Sequence, residues 1–233
     1  MITVHHHVPR EDLGLGLVRV EGVRVGPAPA ELAAELDRCI EAARGRGEAL
    51  EPRREALRQG GRTILRNGCY KPTGRGKPAS EYLMRAAAEA SFPRISGPVD
   101  ACNLVSLAHA VAISLWDLDL AASSDFEVRL GGPGERYVFN PTGQVLELED
   151  LVCGCAQRGG GSTPIVTPIK DSMATKLREQ TTRVGGTIYY PLAAGSVEEL
   201  RAIADELLRW LRLCGERPEG TSAVLLPGQS VTL

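Results

Sequence analysis

The sequence is poor in aromatic residues and has no long apolar run. Phe, Trp and Tyr together make up 4% of the 233 residues, so a core must rely on Leu, Val, Ala and Ile. No stretch approaches the roughly eighteen consecutive apolar residues of a membrane-spanning helix, so no membrane partner is expected. The first residues, MITVHHHVPRED, lack a basic segment followed by an apolar run. They predict no secretory signal and a cytoplasmic location.

Residues spaced for metal binding are also missing. The six cysteines are scattered, and Cys153-Gly-Cys155 has one residue between its thiols, where structural zinc sites have about two to four. Side chains alternate faces along a strand, so His5, His6 and His7 cannot all point to one metal. We therefore expect reduced thiols, no metal and no cofactor. The sequence also lacks motifs typical of P-loop nucleotide hydrolysis, serine hydrolases, HExxH proteases and zinc deaminases.

Charge is distributed unevenly along the chain. The net charge is −2, so no DNA partner is expected. Between Arg44 and Arg94, twelve Lys or Arg stand against five Asp or Glu, which gives this region a net charge of +7. Such asymmetry fits a basic surface that meets phosphate, or equally a solvated, Arg-rich helical surface. Within it, the Gly- and Pro-rich loop from Arg66 to Pro78 offers four candidate phosphate contacts: Arg66, Lys71, Arg75 and Lys77.

Hydrophobic periodicity predicts strands that cluster without alternating helices. This order predicts an α+β fold with a mixed, barrel-like β core and flanking helices, since a doubly wound parallel sheet needs alternation. The predicted strands are Ile2–Val8, Leu15–Val25, 112–118, Phe126–Leu130, Arg136–Phe139, Val145–Val152, Pro164–Ile169, Thr187–Leu192 and Ala223–Leu226. The predicted helices are Pro29–Ala43, Glu48–Gln59 ending at Gly60-Gly61, Glu81–Ala90 capped by Ser80, a helix after Pro93, and Ser196–Leu213 with a Ser196/Glu199 capping box. Arg158–Ser162 is predicted to be a flexible loop.

The stretch from Pro98 to Leu130 embeds polar residues in apolar surroundings. Asp100, Asn103, Ser106 and His109 recur at three-residue steps, so they lie roughly along one stripe of a helix. The following segment indicates a buried strand that ends on acidic residues. A polar stripe that leads into such a strand fits either the wall of a pocket or a satisfied polar seam inside the core.

Several short motifs in this order resemble the B3/B4 module of the β subunit of bacterial phenylalanyl-tRNA synthetase, which also occurs in free-standing relatives. The resemblance covers about residues 66–213. It implies a single domain over 1–233, with an extension at 1–65 and a tail at 214–233. The motifs are Val99-Asp-Ala-Cys-Asn103, Trp116-Asp-Leu-Asp119, Val128-Arg129, Gly134-Glu135, Leu148-Glu-Asp-Leu-Val152 and Thr181-Thr-Arg-Val184.

In the synthetase, this module hydrolyses tyrosine wrongly esterified to tRNA(Phe). The resemblance therefore implies an amino-acid-sized pocket and contact with aminoacyl-tRNA or tRNA, the latter through Arg66, Lys71, Arg75 and Lys77. The chain is too short for the other large domains of a full β subunit, so aminoacylation is not expected. The implied pocket residues are Asn103, Ser114, Asp117, Asp100, Arg129, Thr181 and Thr182.

The chain departs from the family at two pocket positions. Ser114 stands where the synthetases carry a His three residues before Asp117, and the strand around Gly186–Tyr190 carries no carboxylate where they have a Glu. Two hypotheses follow. One is a free-standing aminoacyl-tRNA deacylase, in which Asp117 or Asp100 holds the substrate ammonium and Asn103, Ser114, Thr181 or Thr182 orients water or the carbonyl. The other is a non-catalytic module that binds an amino acid, a small metabolite or tRNA.

Overall fold

The computed structural model describes residues 1–46 and 51–233. Its strands are β1 (Thr3–His6), β2 (Leu13–Glu21), β3 (Ala112–Asp117), β4 (Asp125–Leu130), β5 (Arg136–Val138), β6 (Val145–Glu147), β7 (Val152–Arg158), β8 (Gly161–Val166), β9 (Arg183–Pro191), β10 (Glu219–Leu225) and β11 (Ser230–Thr232). Its α-helices are α1 (Ala30–Arg46), α2 (Pro52–Thr63), α3 (Ala79–Ala88), α4 (Gly97–His109), α5 (Leu118–Ala121) and α6 (Val197–Leu211). None of the described helices is both long and apolar enough to cross a bilayer.

The strands form two main sheets and a small ribbon. The first sheet has the order β11-β1-β4-β7-β8 and is mixed, because β1 runs parallel to β4 while the other pairs are antiparallel. The second sheet, β10-β2-β9-β3, is antiparallel throughout, and β5 pairs with β6. The predicted α+β class with a mixed β core is confirmed. Within the described residues the two sheets do not join into one continuous barrel.

Strand β2 explains how the layers stack. Its side chains alternate faces: Leu15 and Leu17 pack into the core of the first sheet, whereas Val18 and Val20 pack into the core that α1, α4 and α6 cover. Gly16 lies on the helical face, where an added Cβ would come within 2.9 Å of the Leu200 side chain. The second sheet is therefore sandwiched between the helices and the first sheet.

Helix boundaries differ from the prediction in two places. Gly60 and Gly61 do not end α2, which continues to Thr63. Gly60 is instead a close contact, since a Cβ there would lie 2.6 Å from Cβ of Pro191. Ser80 lies inside the first turn of α3 and is buried, so it is not the cap. The predicted helix start at Glu48 lies outside the described residues.

One strand prediction and one loop prediction also need correction. The predicted strand Val145–Val152 divides into β6 and β7, which belong to different sheets, because the chain turns at Asp150 with a φ of +60°. The predicted flexible loop Arg158–Ser162 is a tight hairpin turn between β7 and β8. Gly159 and Gly160 both have positive φ there, as the favoured two-residue hairpin turns require.

Candidate ligand-binding site

The polar stripe of α4 does not face a single cavity. Ser106 donates to the carbonyl of Val111 (2.7 Å), and His109 pairs with Glu206 on α6 (2.7 Å). Asp100 is buried at the start of the helix and accepts a hydrogen bond from the Ile95 N–H. Asn103 is half-buried and its side chain has no hydrogen-bond partner among the described residues. Most of these polar side chains therefore form hydrogen bonds from α4 to neighbouring segments.

Asp117 ends β3 and caps the short helix α5. Its Oδ1 accepts from the N–H groups of Asp119 (2.8 Å) and Leu120 (2.9 Å). Its Oδ2 accepts from the hydroxyl of Thr181 at 2.5 Å. Both oxygens of this buried carboxylate are therefore occupied. Thr182, the neighbour of Thr181, is exposed.

Arg129 lies on β4 and is held by its neighbours. Its guanidinium makes two bonds of 2.7 Å to the two carboxylate oxygens of Glu135, the bidentate geometry that gives strong ion pairs. It also contacts Ser162 on β8 and Glu127. This pairing holds the pKa of the Glu135 carboxyl below its usual value. Arg129 is thus bound to Glu135 in a local ion pair.

Ser114 belongs to a buried network of hydroxyl groups. Its Oγ donates to the Thr167 carbonyl at 2.9 Å and lies 3.4 Å from the hydroxyl of Tyr189, which donates to it. Thr167 continues the network, because its hydroxyl receives a bond from Tyr137 (3.1 Å) and donates to the Lys170 carbonyl (2.8 Å). Ser114 thus connects the edge strand β3 to the connection between β8 and β9.

Asp171 completes this network and was missed from the sequence. Its carboxyl lies near the Ser114 hydroxyl and the backbone of Thr167 and Leu115. Its Oδ1 is shielded from solvent and has no hydrogen-bond partner in the described structure. Burial raises the pKa of Asp171 to about 7, against the opposing effect of these neighbouring polar groups. A buried carboxyl oxygen without a partner commonly marks a functional group.

A cleft of about 760 Å³, the basic cleft, opens next to this network. It is lined by Arg75, Lys77, Tyr82, Arg85 and Lys170, among others. Lys170 directly precedes Asp171 in the chain, so the cleft wall and the buried carboxyl belong to the same segment. Tyr82 is 56% exposed, and the guanidinium of Arg85 lies 5.7 Å from the centre of its ring.

The cations of the Arg44–Arg94 region divide into two groups. Most of the arginines are neutralised: Arg58 and Arg62, for example, both pair with Glu81. By contrast, in the described part of the chain Arg66, Lys71, Arg75 and Lys77 have no carboxylate partner. All four are exposed, but only Arg75 and Lys77 line the basic cleft.

Electrostatic repulsion is concentrated where the basic cleft meets the connection after β8. Burial lowers the pKa of Lys170, and the charges of Arg75 and Lys176 lower it further. The ammonium of Lys170 lies 3.8 Å from the ring centre of Phe139, while that of Lys176 donates to the Phe139 carbonyl. An anion bound here would relieve the repulsion among these cations.

Metal-binding chemistry finds no support within the described residues, where no three His, Cys, Asp or Glu are grouped to hold an ion. Cys153 and Cys155 are buried in β7, and no disulfide joins any of the six cysteines. Among the three adjacent histidines, His5 contacts Asp125, His7 contacts Glu127, and His6 turns inward to the Leu13 carbonyl.

The remaining cleft residues gave only weak signals in the sequence. Tyr82 and Arg85 are three residues apart on a predicted helix, a spacing that places them on one face. Lys170-Asp171 follows an extended, Pro-rich stretch, and nothing in that pattern indicates that the Asp171 carboxyl points inward. Composition therefore located the basic region but not its carboxyl neighbour.

Comparison of the chain with models of known families finds no match, and comparison with curated proteins finds none either. One solved structure that is similar is an N-terminal fragment of the phenylalanyl-tRNA synthetase β subunit from Pyrococcus horikoshii. The match covers 94% of this chain and 54% of that one, with 11% sequence identity and a TM-score of 0.44. The chain thus spans about half the length of that fragment. The likeness is weak and concerns the fold alone.

Proposed function

We propose that the protein binds the aminoacylated end of a tRNA in the basic cleft and hydrolyses its aminoacyl ester. The observation that carries the proposal is that Lys170, which lines this cleft together with Arg75 and Lys77, directly precedes Asp171, whose Oδ1 has no hydrogen-bond partner in the described structure. Phosphates would meet Arg75, Lys77 and Lys170, and an unpaired base would stack on Tyr82. Such stacking contributes about 1–3 kcal/mol per base in single-strand binding.

Asp171 is the group that we assign to the reaction. A carboxyl with a pKa near neutrality is suited to general-base catalysis, because it can take a proton from water and return it. Water would attack the ester carbonyl carbon as its proton passes to Asp171. The bond to the ribose oxygen would then break, and the proton would pass from Asp171 to that oxygen. The ester is already activated, so positioning supplies much of the remaining acceleration.

The other predicted pocket residues take supporting roles in this proposal. Ser114 positions the Asp171 carboxyl, and Asn103 keeps a free amide as a candidate contact for an amino-acid ligand. Asp117, Thr181 and Thr182 lie at the end of β3 and would shape the wall behind the network. Asp100 and Arg129 would not contact the substrate directly in this proposal, since each is bonded to its own local partners.

Amino-acid release from a panel of mischarged tRNAs tests the hydrolytic part. We expect release above background for at least one tRNA, and a loss of at least tenfold in the D171N variant, which cannot accept a proton. The exposed Asp205 on α6 supplies a matched Asp-to-Asn control, D205N, which should retain the activity. No release from any tRNA in the panel would contradict the assignment of hydrolysis.

Salt-dependent tRNA binding tests the cleft separately. We expect the R75A/K77A variant to bind more weakly and to reduce the slope of log affinity against log salt by about 1 to 2. R201A, which removes an exposed arginine on α6, is the control for loss of positive charge. Binding that weakens with salt, combined with no hydrolysis, would favour the second hypothesis of a non-catalytic tRNA or amino-acid binding module. Binding insensitive to salt would contradict the basic cleft as the tRNA site.

A further inference from the structure

A second cleft, of about 720 Å³, lies at the N-terminal end of α4. We call it the acidic cleft and define it by Asp37, Arg94, Ser96, Asp100 and Glu179. Its charged residues come from three separate parts of the chain: α1, the start of α4 and the connection before β9. This connection is the same segment that carries Lys170 and Asp171, so residues 167–182 contribute to both clefts.

The acidic cleft carries an excess of negative charge. Arg94 forms an ion pair with Asp37, which leaves two carboxylates. Asp100 accepts the N–H of Ile95 (3.0 Å) and interacts with the backbone of Ser96, and it forms no ion pair within the described residues. Glu179 is exposed and has no partner in the described part of the chain. Burial raises the pKa of Asp100, against the opposing effects of the Ile95 N–H, the Arg94 charge and the Ser96 backbone.

Ser96 provides a second and independent sign of a missing partner. It lies at the N-terminus of α4, yet its side chain makes no capping hydrogen bond. The residue is 7% exposed, lines the cleft, and its Oγ has no partner in the described structure. A buried hydroxyl without a hydrogen bond costs about 1–3 kcal/mol, so a ligand that donates to it would be favoured.

The geometry disfavours two classes of ligand, namely anions and metal ions. An anion would normally use the free N–H groups at a helix start. Here the Gly97 N–H is bonded to the Gly26 carbonyl (2.7 Å) and Pro98 has no N–H, while Asp100 and Glu179 would repel negative charge. A metal ion is disfavoured because the described residues contain no group of three potential ligands close enough to hold one.

We propose that the acidic cleft binds an aliphatic amine, with its ammonium group on Asp100 and Ser96. The ammonium would donate to the Asp100 carboxylate and to the orphan Ser96 hydroxyl, and Glu179 at the rim would attract a second positive charge. Pro27, Ala28 and Val25 supply an apolar wall for a methylene chain. A diamine fits this arrangement better than a monoamine, because two carboxylates without ion-pair partners face the cleft.

Isothermal titration calorimetry with 1,4-diaminobutane tests the proposal, with n-butylamine and butanoate as comparison probes. We expect saturable binding of the diamine, weaker binding of butylamine and none of butanoate. D100N, which keeps an acceptor for the Ile95 N–H, should weaken diamine binding at least tenfold, since it removes a charge-assisted hydrogen bond. E179Q and S96A should each weaken it by about threefold, and far-ultraviolet circular dichroism would show whether each variant is folded.

A matched control removes a carboxylate elsewhere. Glu147 on β6 is exposed and does not line the cleft, so E147Q changes the net charge equally and should leave diamine binding unchanged. The proposal would be overturned if the diamine gave no saturable heat in the millimolar range. It would also be overturned if folded E179Q and S96A bound the diamine as well as the unmodified protein does. If D100N is unfolded, these two variants still decide the outcome.

Discussion

Asp117 and Asp171 are both carboxylates associated with β3, and they are bonded in opposite ways. Asp117 closes the strand and uses both oxygens, one on two backbone N–H groups and one on the hydroxyl of Thr181. Asp171 approaches β3 from the connection after β8 and keeps one oxygen without a partner. The difference teaches that an acid with saturated hydrogen bonding serves the fold, whereas an unsaturated one retains the capacity to bind or react.

The largest effect in this comparison should follow from D117A. The substitution leaves two N–H groups of α5 and the Thr181 hydroxyl without an acceptor in a buried site. We expect the free energy of unfolding to fall by about 3–4 kcal/mol, since loss of a cap and unsatisfied buried donors add together. Urea denaturation followed by circular dichroism measures this. A loss below about 1 kcal/mol would show that Asp117 is not the structural member of the pair.

Asp171 should affect stability through pH. Its pKa is raised in the folded state from 3.8 to about 7, so between these values the folded protein holds a proton that the unfolded chain releases. Stability should therefore fall as pH rises from about 4 to 7, by about 3 kcal/mol from this group. D171N cannot ionise and should lose this component. The measurement is the difference in unfolding free energy between the unmodified protein and D171N at pH 4.5 and 7.5.

The opposite pH dependence would contradict the contrast drawn between Asp117 and Asp171. If D171N becomes less stable relative to the unmodified protein as pH rises, the Asp171 carboxylate is stabilised by its surroundings in the charged form. D205N serves as a control here too, because Asp205 is exposed on α6 and its replacement should not produce this pH dependence.

The contrast between these two acids also marks the limit of the sequence analysis. The Trp116-Asp-Leu-Asp119 pattern located an acid at a strand end, because hydrophobic runs and their termini are local features. The bonding state of that acid depends on Thr181, which is 64 positions further along the chain. Asp171 was missed for the same reason, since its burial results from packing against β3, which no local pattern describes.

The fold class was more accessible than the site. Clustered strands between groups of helices were enough to predict α+β with a mixed sheet, and most strand positions agree with the structure. Parallel pairing of β1 with β4 and the division of β6 from β7 were not predictable, because both depend on contacts between distant segments. The basic region was visible in composition, but ion pairing depends on the fold: Arg62 pairs with Glu81, whereas Arg75 has no carboxylate partner among the described residues.

Replacing the hydroxyl partners of the two acids should give smaller effects. T181V removes the donor to Asp117 and leaves the Arg178 N–H without its acceptor, so we expect a loss of about 2 kcal/mol. S114A removes a hydroxyl that donates to the Thr167 carbonyl at 2.9 Å and receives a long contact from Tyr189 at 3.4 Å, so we expect a loss of about 1 kcal/mol. Thermal unfolding of the two variants in parallel measures the difference. Equal or reversed losses would argue against the division between a structural and a functional carboxyl.

His6 combines both bonding states within one side chain and should give the smallest effect. Its Nε2 is bonded to the Leu13 carbonyl at 2.9 Å, while its buried Nδ1 has no partner among the described residues. Burial lowers its pKa, so below about pH 6.5 the unfolded chain takes up a proton that the folded protein does not. Stability contributed by neutral His6 should therefore decrease between pH 7.5 and 5.5.

The variant H6Q isolates this contribution, because glutamine keeps an N–H for the Leu13 carbonyl and does not titrate. The stability gap between the unmodified protein and H6Q should narrow as pH falls, which urea denaturation at the two pH values would show. A gap that stays constant or widens as pH falls would mean that the unpaired nitrogen of His6 does not control the response. Narrowing of the gap for H6Q would extend the rule drawn from Asp117 and Asp171 to an imidazole, because in His6, as in Asp171, the unsatisfied buried atom would determine the response to protons.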